Sequence, residues 1–265
     1  MAWTQALWLS VIQGLTEFLP ISSSGHLALA PALFNWPDQG LAFDVAAHVG
    51  SLIAVLIYFH KDIILIIGDW LRSLAGGPVT IYSKLAWSIA LATALVGGAG
   101  ILLEDMVSTA LRNPLPIAGA TIVFGIILGA TDKFGAKRRR IESISWKDVL
   151  VIGGAQVLAL IPGTSRSGIT ISAGLMMGLT REAAARFSFL LAIPVIALAG
   201  IWLGTGLAEQ AQPVQWSILF FATAVSAMVA LLCIHYFLRY LQHFSLLPFM
   251  IYRLILGVIL LVVFL

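Results

Sequence analysis

Four stretches of this 265-residue chain, 85–103, 113–131, 187–208 and 210–238, contain no Asp, Glu, Lys or Arg. A helix needs about 20 apolar residues to cross the hydrocarbon core of a bilayer, and only helices and closed barrels satisfy their backbone there. A water-soluble core has no use for so many runs of this kind. Charged residues are 10% of the chain, against roughly 25% in a soluble domain. The expected fold class is an all-α polytopic membrane protein. The opening MAWTQALWLS lacks a basic n-region and a small-residue cleavage site, so it reads as part of the fold and not as a secretory signal. The single cysteine, Cys233, lies in an apolar run and is expected to pack.

Six spans are predicted at about 48–67, 81–103, 115–131, 186–206, 216–238 and 246–265. Two more apolar segments, about 3–34 and 146–179, are each interrupted by Pro, Gly and Ser. Each half is too short to cross, so each segment is read as a re-entrant hairpin of two half-helices, tolerated where protein or a wet cavity covers its polar backbone. One kinked spanning helix at each place is the alternative. With both hairpins re-entrant and 60–84 cytoplasmic, thirteen of the fifteen basic residues, from Lys61 to Arg253, fall in cytoplasmic loops. Arg112 is left outside with the acidic residues Asp38, Asp44, Glu104, Asp105 and Glu209, and Arg166 lies within the second hairpin. This charge bias is the one that orients membrane proteins, and it puts both termini outside.

The broken segments look like one motif written twice. QGLTEFLPISSSG at 13–25 aligns with QVLALIPGTSRSG at 156–168 after a shift of 143, and AAHVGSLIAV at 46–55 resembles AARFSFLLAI at 184–193. One hairpin plus three spans makes each copy, 1–133 and 144–265, joined by a basic cytoplasmic linker, 134–143. An odd number of spans inverts the second copy, and inverted repeats bring broken helices together near the midplane. The linker run KRRR at 137–140 is read as an anchor to anionic lipid. The chain's net charge of +3 reflects topology, and no nucleic-acid partner is expected.

The two knots carry the chemistry. Glu17 and Arg166 are the charges most deeply set in apolar sequence, where ionisable groups mark function; a purely structural ion pair is the alternative. The run Ser22, Ser23, Ser24, Gly25 and the run Gly163, Thr164, Ser165, Arg166, Ser167, Gly168 offer backbone N–H groups and helix N-termini suited to phosphate. Arg166 adds a planar fork. Capping and close packing are the plainer roles of such serines. His26 follows the first knot, nine residues after Glu17, so hydroxyl, base and carboxylate can share one cavity, a grouping that suits phosphoryl transfer. Glu17 could instead hold a divalent cation. Asp44 and His48 are expected at the membrane interface near the entrance, and His60, His235 and His243 are given no role.

These residues carry a resemblance. QGLTEFLPISSSGHL and PGTSRSGIT resemble the two signatures of the undecaprenyl-diphosphatase family of the bacitracin-resistance type, along essentially the whole chain. The resemblance implies a hydrolase of the bacterial inner membrane that removes the terminal phosphate of undecaprenyl diphosphate at the outer leaflet. That reaction recycles the lipid carrier of peptidoglycan synthesis and gives bacitracin resistance. It further implies a divalent cation, Mg2+ or Ca2+, with Glu17 as its ligand. By motif position Glu17, Ser23, His26 and Arg166 form the functional core, with Gln13, Ser22, Ser24, Gly163, Ser165, Ser167 and Thr170 in support. Gln13 stands where some members have Glu, which places more weight on Glu17. The implied partners are a polyprenyl diphosphate and membrane lipids; a homodimer is an open expectation. The rival reading is a transporter or flippase of a lipid phosphate, since inverted repeats with broken helices are common in carriers.

Overall fold

The computed structural model describes residues 1–34, 36–103, 114–207 and 215–264. Arg112, Glu104, Asp105 and Glu209, used above to assign sidedness, lie outside these. All regular elements among the described residues are helical: α1 Trp3–Thr16, α2 Ser23–Phe34, α3 Leu41–Tyr58, α4 His60–Leu74, α5 Ile81–Leu102, α6 Pro114–Phe134, α7 Trp146–Val157, α8 Arg166–Met176, α9 Arg181–Leu207, α10 Trp216–His243 and α11 Leu247–Phe264. Six of these, α3, α5, α6, α9, α10 and α11, are long and apolar enough to cross a membrane. α1–α2 and α7–α8 are the two broken segments, each half 14 residues or fewer.

The first span needs correction. The run 48–67 is two helices meeting at Phe59, because His60, Lys61 and Asp62 interrupt it. α3 therefore begins at Leu41, and α4 is a separate amphipathic helix with Asp62, Asp69 and Arg72 among exposed Ile64, Leu65 and Leu71. Arg253 also departs from its expected loop: it lies two turns inside α11 and is 0% exposed. The basic linker is pinned to the fold. The N–H groups of Arg138 and Arg139 donate to the Gly178 carbonyl, and Thr180 N–H donates to the Arg139 carbonyl. The Arg139 guanidinium grips both Asp148 carboxylate oxygens at 2.7 and 2.6 Å, so this residue of the KRRR run holds protein and not lipid.

Helix packing is exchanged between the halves. α1 packs on α10 and α7 packs on α5, while α3 meets α9 and α6 meets α11, a reciprocity that accords with two interlocked copies. A close seam is α3 on α10, where a Cβ at Gly50 would lie 2.4 Å from the Thr223 carbonyl oxygen. Thr223 Oγ1 donates to the Ala46 carbonyl and Ser226 Oγ to the Ala47 carbonyl. Small residues and hydroxyls serve here because apolar surface alone drives no association in lipid.

Candidate active site

Both broken segments turn on a serine in a strained conformation. Ser22 and Ser165 have φ of 72° and 68°, in the left-handed region that L-residues enter at a cost. Each hydroxyl then accepts from the backbone N–H three residues on, Gly25 at 3.4 Å and Gly168 at 3.2 Å, and lies 3.2 Å from a second serine, Ser24 or Ser167. The capping role is what these two hydroxyls display. Gly163, at φ 92°, completes the second turn where a Cβ would meet the Ile117 carbonyl oxygen at 2.3 Å.

Three links join the two turns. Arg166 Nη2 donates to Glu17 Oε1 at 2.9 Å, both side chains nearly buried. Ser167 Oγ donates to the Leu19 carbonyl at 2.9 Å. Arg253, from α11, donates to the Pro20 carbonyl at 3.4 Å and the Gly163 carbonyl at 2.8 Å, and to the Thr121 carbonyl at 3.1 Å. A buried guanidinium without a carboxylate fits here because broken helices leave carbonyls with no helical partner.

Glu17 is the hub. It caps the end of α1, and its Oε2 accepts from Ser23 Oγ at 2.8 Å and from Gln13 Nε2 at 3.1 Å. His48 Nε2 faces the same oxygen at 3.7 Å, its Nδ1 held by the Asp44 carbonyl at 2.7 Å. The structure thus brings Gln13, Glu17, Ser23 and Arg166 together and draws His48 in from its expected interfacial place. Gln13 Oε1, in contrast, is buried with no hydrogen-bond partner. The second Arg166 nitrogen, Nη1, donates to the Ser188 carbonyl at 3.1 Å, and Thr170 Oγ1 pairs with the Ser188 hydroxyl at 2.7 Å.

His26 turns elsewhere. Its Nδ1 meets the Ser22 carbonyl at 2.7 Å and its Nε2 meets the Tyr252 hydroxyl at 2.6 Å. Sequence reasoning missed Ser188, Tyr252 and Arg253, and placed His48 at the interface. Of these, only the intramembrane charge of Arg253 gave a signal that could have singled it out.

Beneath the ion pair lies an aromatic layer. Arg166 sits 6.0 Å from the centre of the Phe18 ring, Phe18 packs edge-on to Phe189 at 5.1 Å, and Phe189 reaches Phe59 at 6.5 Å. All three rings are at most 1% exposed. On the far side Arg186 lies 5.3 Å from the Phe59 ring and pairs with Asp62 at 3.1 Å. There it lines a cleft of about 700 Å3 with Lys137, Arg140 and Arg181.

The family model described as Bacitracin resistance protein BacA matches residues 6–259. The chain belongs to this family. It is similar to proteins named undecaprenyl-diphosphatase from Thioalkalivibrio sulfidiphilus, 55% identical over 98% of both chains, and Nitrosococcus oceani, 52% identical over the whole of both. A third so named, from Chromohalobacter salexigens, is 51% identical over 99% of both. Membership of the BacA family, with the six long apolar helices, makes the chain a multi-pass protein of the inner membrane.

Proposed function

We propose that this BacA-family chain hydrolyses undecaprenyl diphosphate to undecaprenyl phosphate and inorganic phosphate at the junction of α1–α2 with α7–α8. The observation that carries the proposal is the Ser23 hydroxyl donating to Glu17 Oε2 at 2.8 Å while Arg166 holds the other oxygen. A nucleophile on a base that a third group orients is the arrangement of covalent catalysis. A carrier of anions gains nothing from a carboxylate there, so the arrangement favours hydrolysis over carriage.

Ser23 Oγ attacks the terminal phosphorus, its proton passes to Glu17, and the bridging P–O bond breaks to release the lipid monophosphate. Water then hydrolyses the phosphoserine, freeing inorganic phosphate and restoring the hydroxyl. Arg166 keeps N–H groups beyond those used by Glu17 and Ser188, and these face the charge spread over the equatorial oxygens. The Ser167 to Leu19 link and Arg253 hold the two turns in register. The expected divalent cation fits this donor set: Gln13 Oε1 is buried without a partner beside Glu17, and Mg2+ and Ca2+ take such hard oxygens. Among the described residues no three His, Cys, Asp or Glu side chains converge, so Gln13 and Glu17 would hold the ion together with substrate oxygens. When bound it neutralises phosphate charge.

The two halves, 1–133 and 144–265, act as inverted repeats that enter from opposite faces, with 134–143 cytoplasmic. The site opens to the periplasm, both termini lie outside, and the prenyl chain leaves sideways between spans. Purified protein in detergent, given undecaprenyl diphosphate, should release phosphate. Chelation should remove the activity and Ser23→Ala should reduce it by about 10²-fold or more. Tight lipid binding with no phosphate release, with or without added cation, would defeat the proposal in favour of a carrier.

A further inference from the structure

Two adjacent residues of α11 reach the hairpin junction, 226 and more positions away in sequence from the first turn. Arg253 is buried at its base; Tyr252 lies at its flank, 42% exposed beside outward-facing Ile251 and Ile255. The Tyr252 and His26 rings are nearly parallel, 5° apart in plane with centroids 5.5 Å apart. Both ring nitrogens of His26 are engaged, and their partners are chemically unequal. The Ser22 carbonyl can only accept, so Nδ1 must carry a proton. In the neutral ring Nε2 then has a lone pair, and the phenolic O–H is its donor.

We infer that Tyr252 is a positioning residue for His26: the Ser22 carbonyl makes the ring the Nδ1–H tautomer, and the Tyr252 hydroxyl and ring hold Nε2, its one basic nitrogen, in place. The two contacts are independent restraints. The Ser22 bond sets which nitrogen accepts, while the Tyr252 hydroxyl and the parallel rings set the direction and plane in which it does so. A histidine held this way serves as a neutral proton acceptor, separate from the Ser23–Glu17 pair. It takes part after attack: the phenolic O–H turns away from Nε2, which then accepts the proton of the water that cleaves the phosphoserine. Tyr252 touches neither Glu17 nor Ser23 and acts through the imidazole alone.

This assignment rests on the phosphatase reading, so its test has one arm that needs turnover and one that does not. With Tyr252→Phe, which keeps the ring and removes the hydroxyl, kcat should fall about tenfold while KM stays within about twofold. In a His26→Gln background the same change should cost nothing further, because the partner it acts through is gone. Independently, 15N-histidine NMR of the micelle-bound protein, with His26 assigned by its loss in His26→Gln, should show an Nδ1–H imidazole. Its Nε2 resonance should move in Tyr252→Phe. Additive losses in the double variant, or an Nε2 resonance indifferent to the hydroxyl, would overturn the inference. If the NMR pattern holds while wild-type protein releases no phosphate, the pairing stands and the phosphatase reading fails.

Discussion

Ser22 and Ser165 stand 143 positions apart and share a positive φ, 72° and 68°, with each hydroxyl accepting from the N–H of a glycine three residues on. Two non-glycine residues held there at matching places in two turns tie strain to the breaks in both helices, since such strain persists only where the surroundings over-determine it.

The strain and the cap can be separated by substitution. Ser165→Ala keeps the unfavourable φ and loses the cap, at a cost of about 1 kcal/mol. Ser165→Gly gives up only a few tenths on the cap and recovers about 1 kcal/mol of backbone strain. Thermal unfolding in detergent should therefore place the Gly variant near or above wild type and the Ala variant below it. Equal midpoints would show that the conformation carries no cost.

Removing either partner of the Glu17–Arg166 pair strands the other charge in a nearly buried place. Glu17→Gln and Arg166→Ala should each destabilise by about 3 kcal/mol and lower kcat by 10² or more. Arg166→Lys keeps the charge without the fork and should recover stability more than rate. The Glu17→Gln, Ser23→Ala double variant should be no slower than the worse single one, since the pair acts as a unit. Phosphate release and denaturation of the same samples decide both points.

Gly163 and Arg253 hold the second turn from opposite sides. Gly163→Ala drives a Cβ against the Ile117 carbonyl at 2.3 Å in a backbone conformation that favours glycine, and a loss of more than about 2 kcal/mol is expected. Arg253→Met fits the space but removes the guanidinium donor that the Pro20, Thr121 and Gly163 carbonyls share, costing about 3 kcal/mol. Arg253→Lys should rescue it poorly, since one ammonium lacks the fork that spans three acceptors. A fully stable Met variant would remove Arg253 from the architecture.

The linker pair sets an acid limit. Burial opposes the Asp148 charge, but hydrogen bonds from Arg139 and Ser145 outweigh it and hold the carboxyl below its usual range. A depressed carboxylate stabilises fully above its unfolded value, about 3.9 for aspartate, and the contribution fades as pH falls through the folded value. Between about pH 5 and pH 2.5, wild type should lose stability more steeply than Asp148→Asn. Parallel slopes in a denaturation series across that range would contradict the assignment.

The breaks at PISSSG and PGTSRSG were legible because proline, glycine and serine interrupt helices whatever surrounds them. The gathering of Gln13 and Glu17 was equally local, since residues four apart share a helix face. Span 48–67 misled because two apolar runs flank a three-residue polar interruption, and composition alone does not tell a kink from a crossing. Tyr252 and Arg253 were missed for a different reason. Their partners come from the far end of the chain, and a lone arginine near the start of a span has the pattern of an interfacial anchor. His48 was seen, but its depth beside Glu17 depends on how α3 packs.

The Phe18, Phe189 and Phe59 rings lie between two guanidinium groups, one paired with Glu17 and the other lining a charged cleft. With such a stopper built into the protein, sidedness is a property of the fold and does not depend on the bilayer around it. A water-soluble reagent that reaches the ion pair from one compartment should be halted by hydrocarbon when it comes from the other.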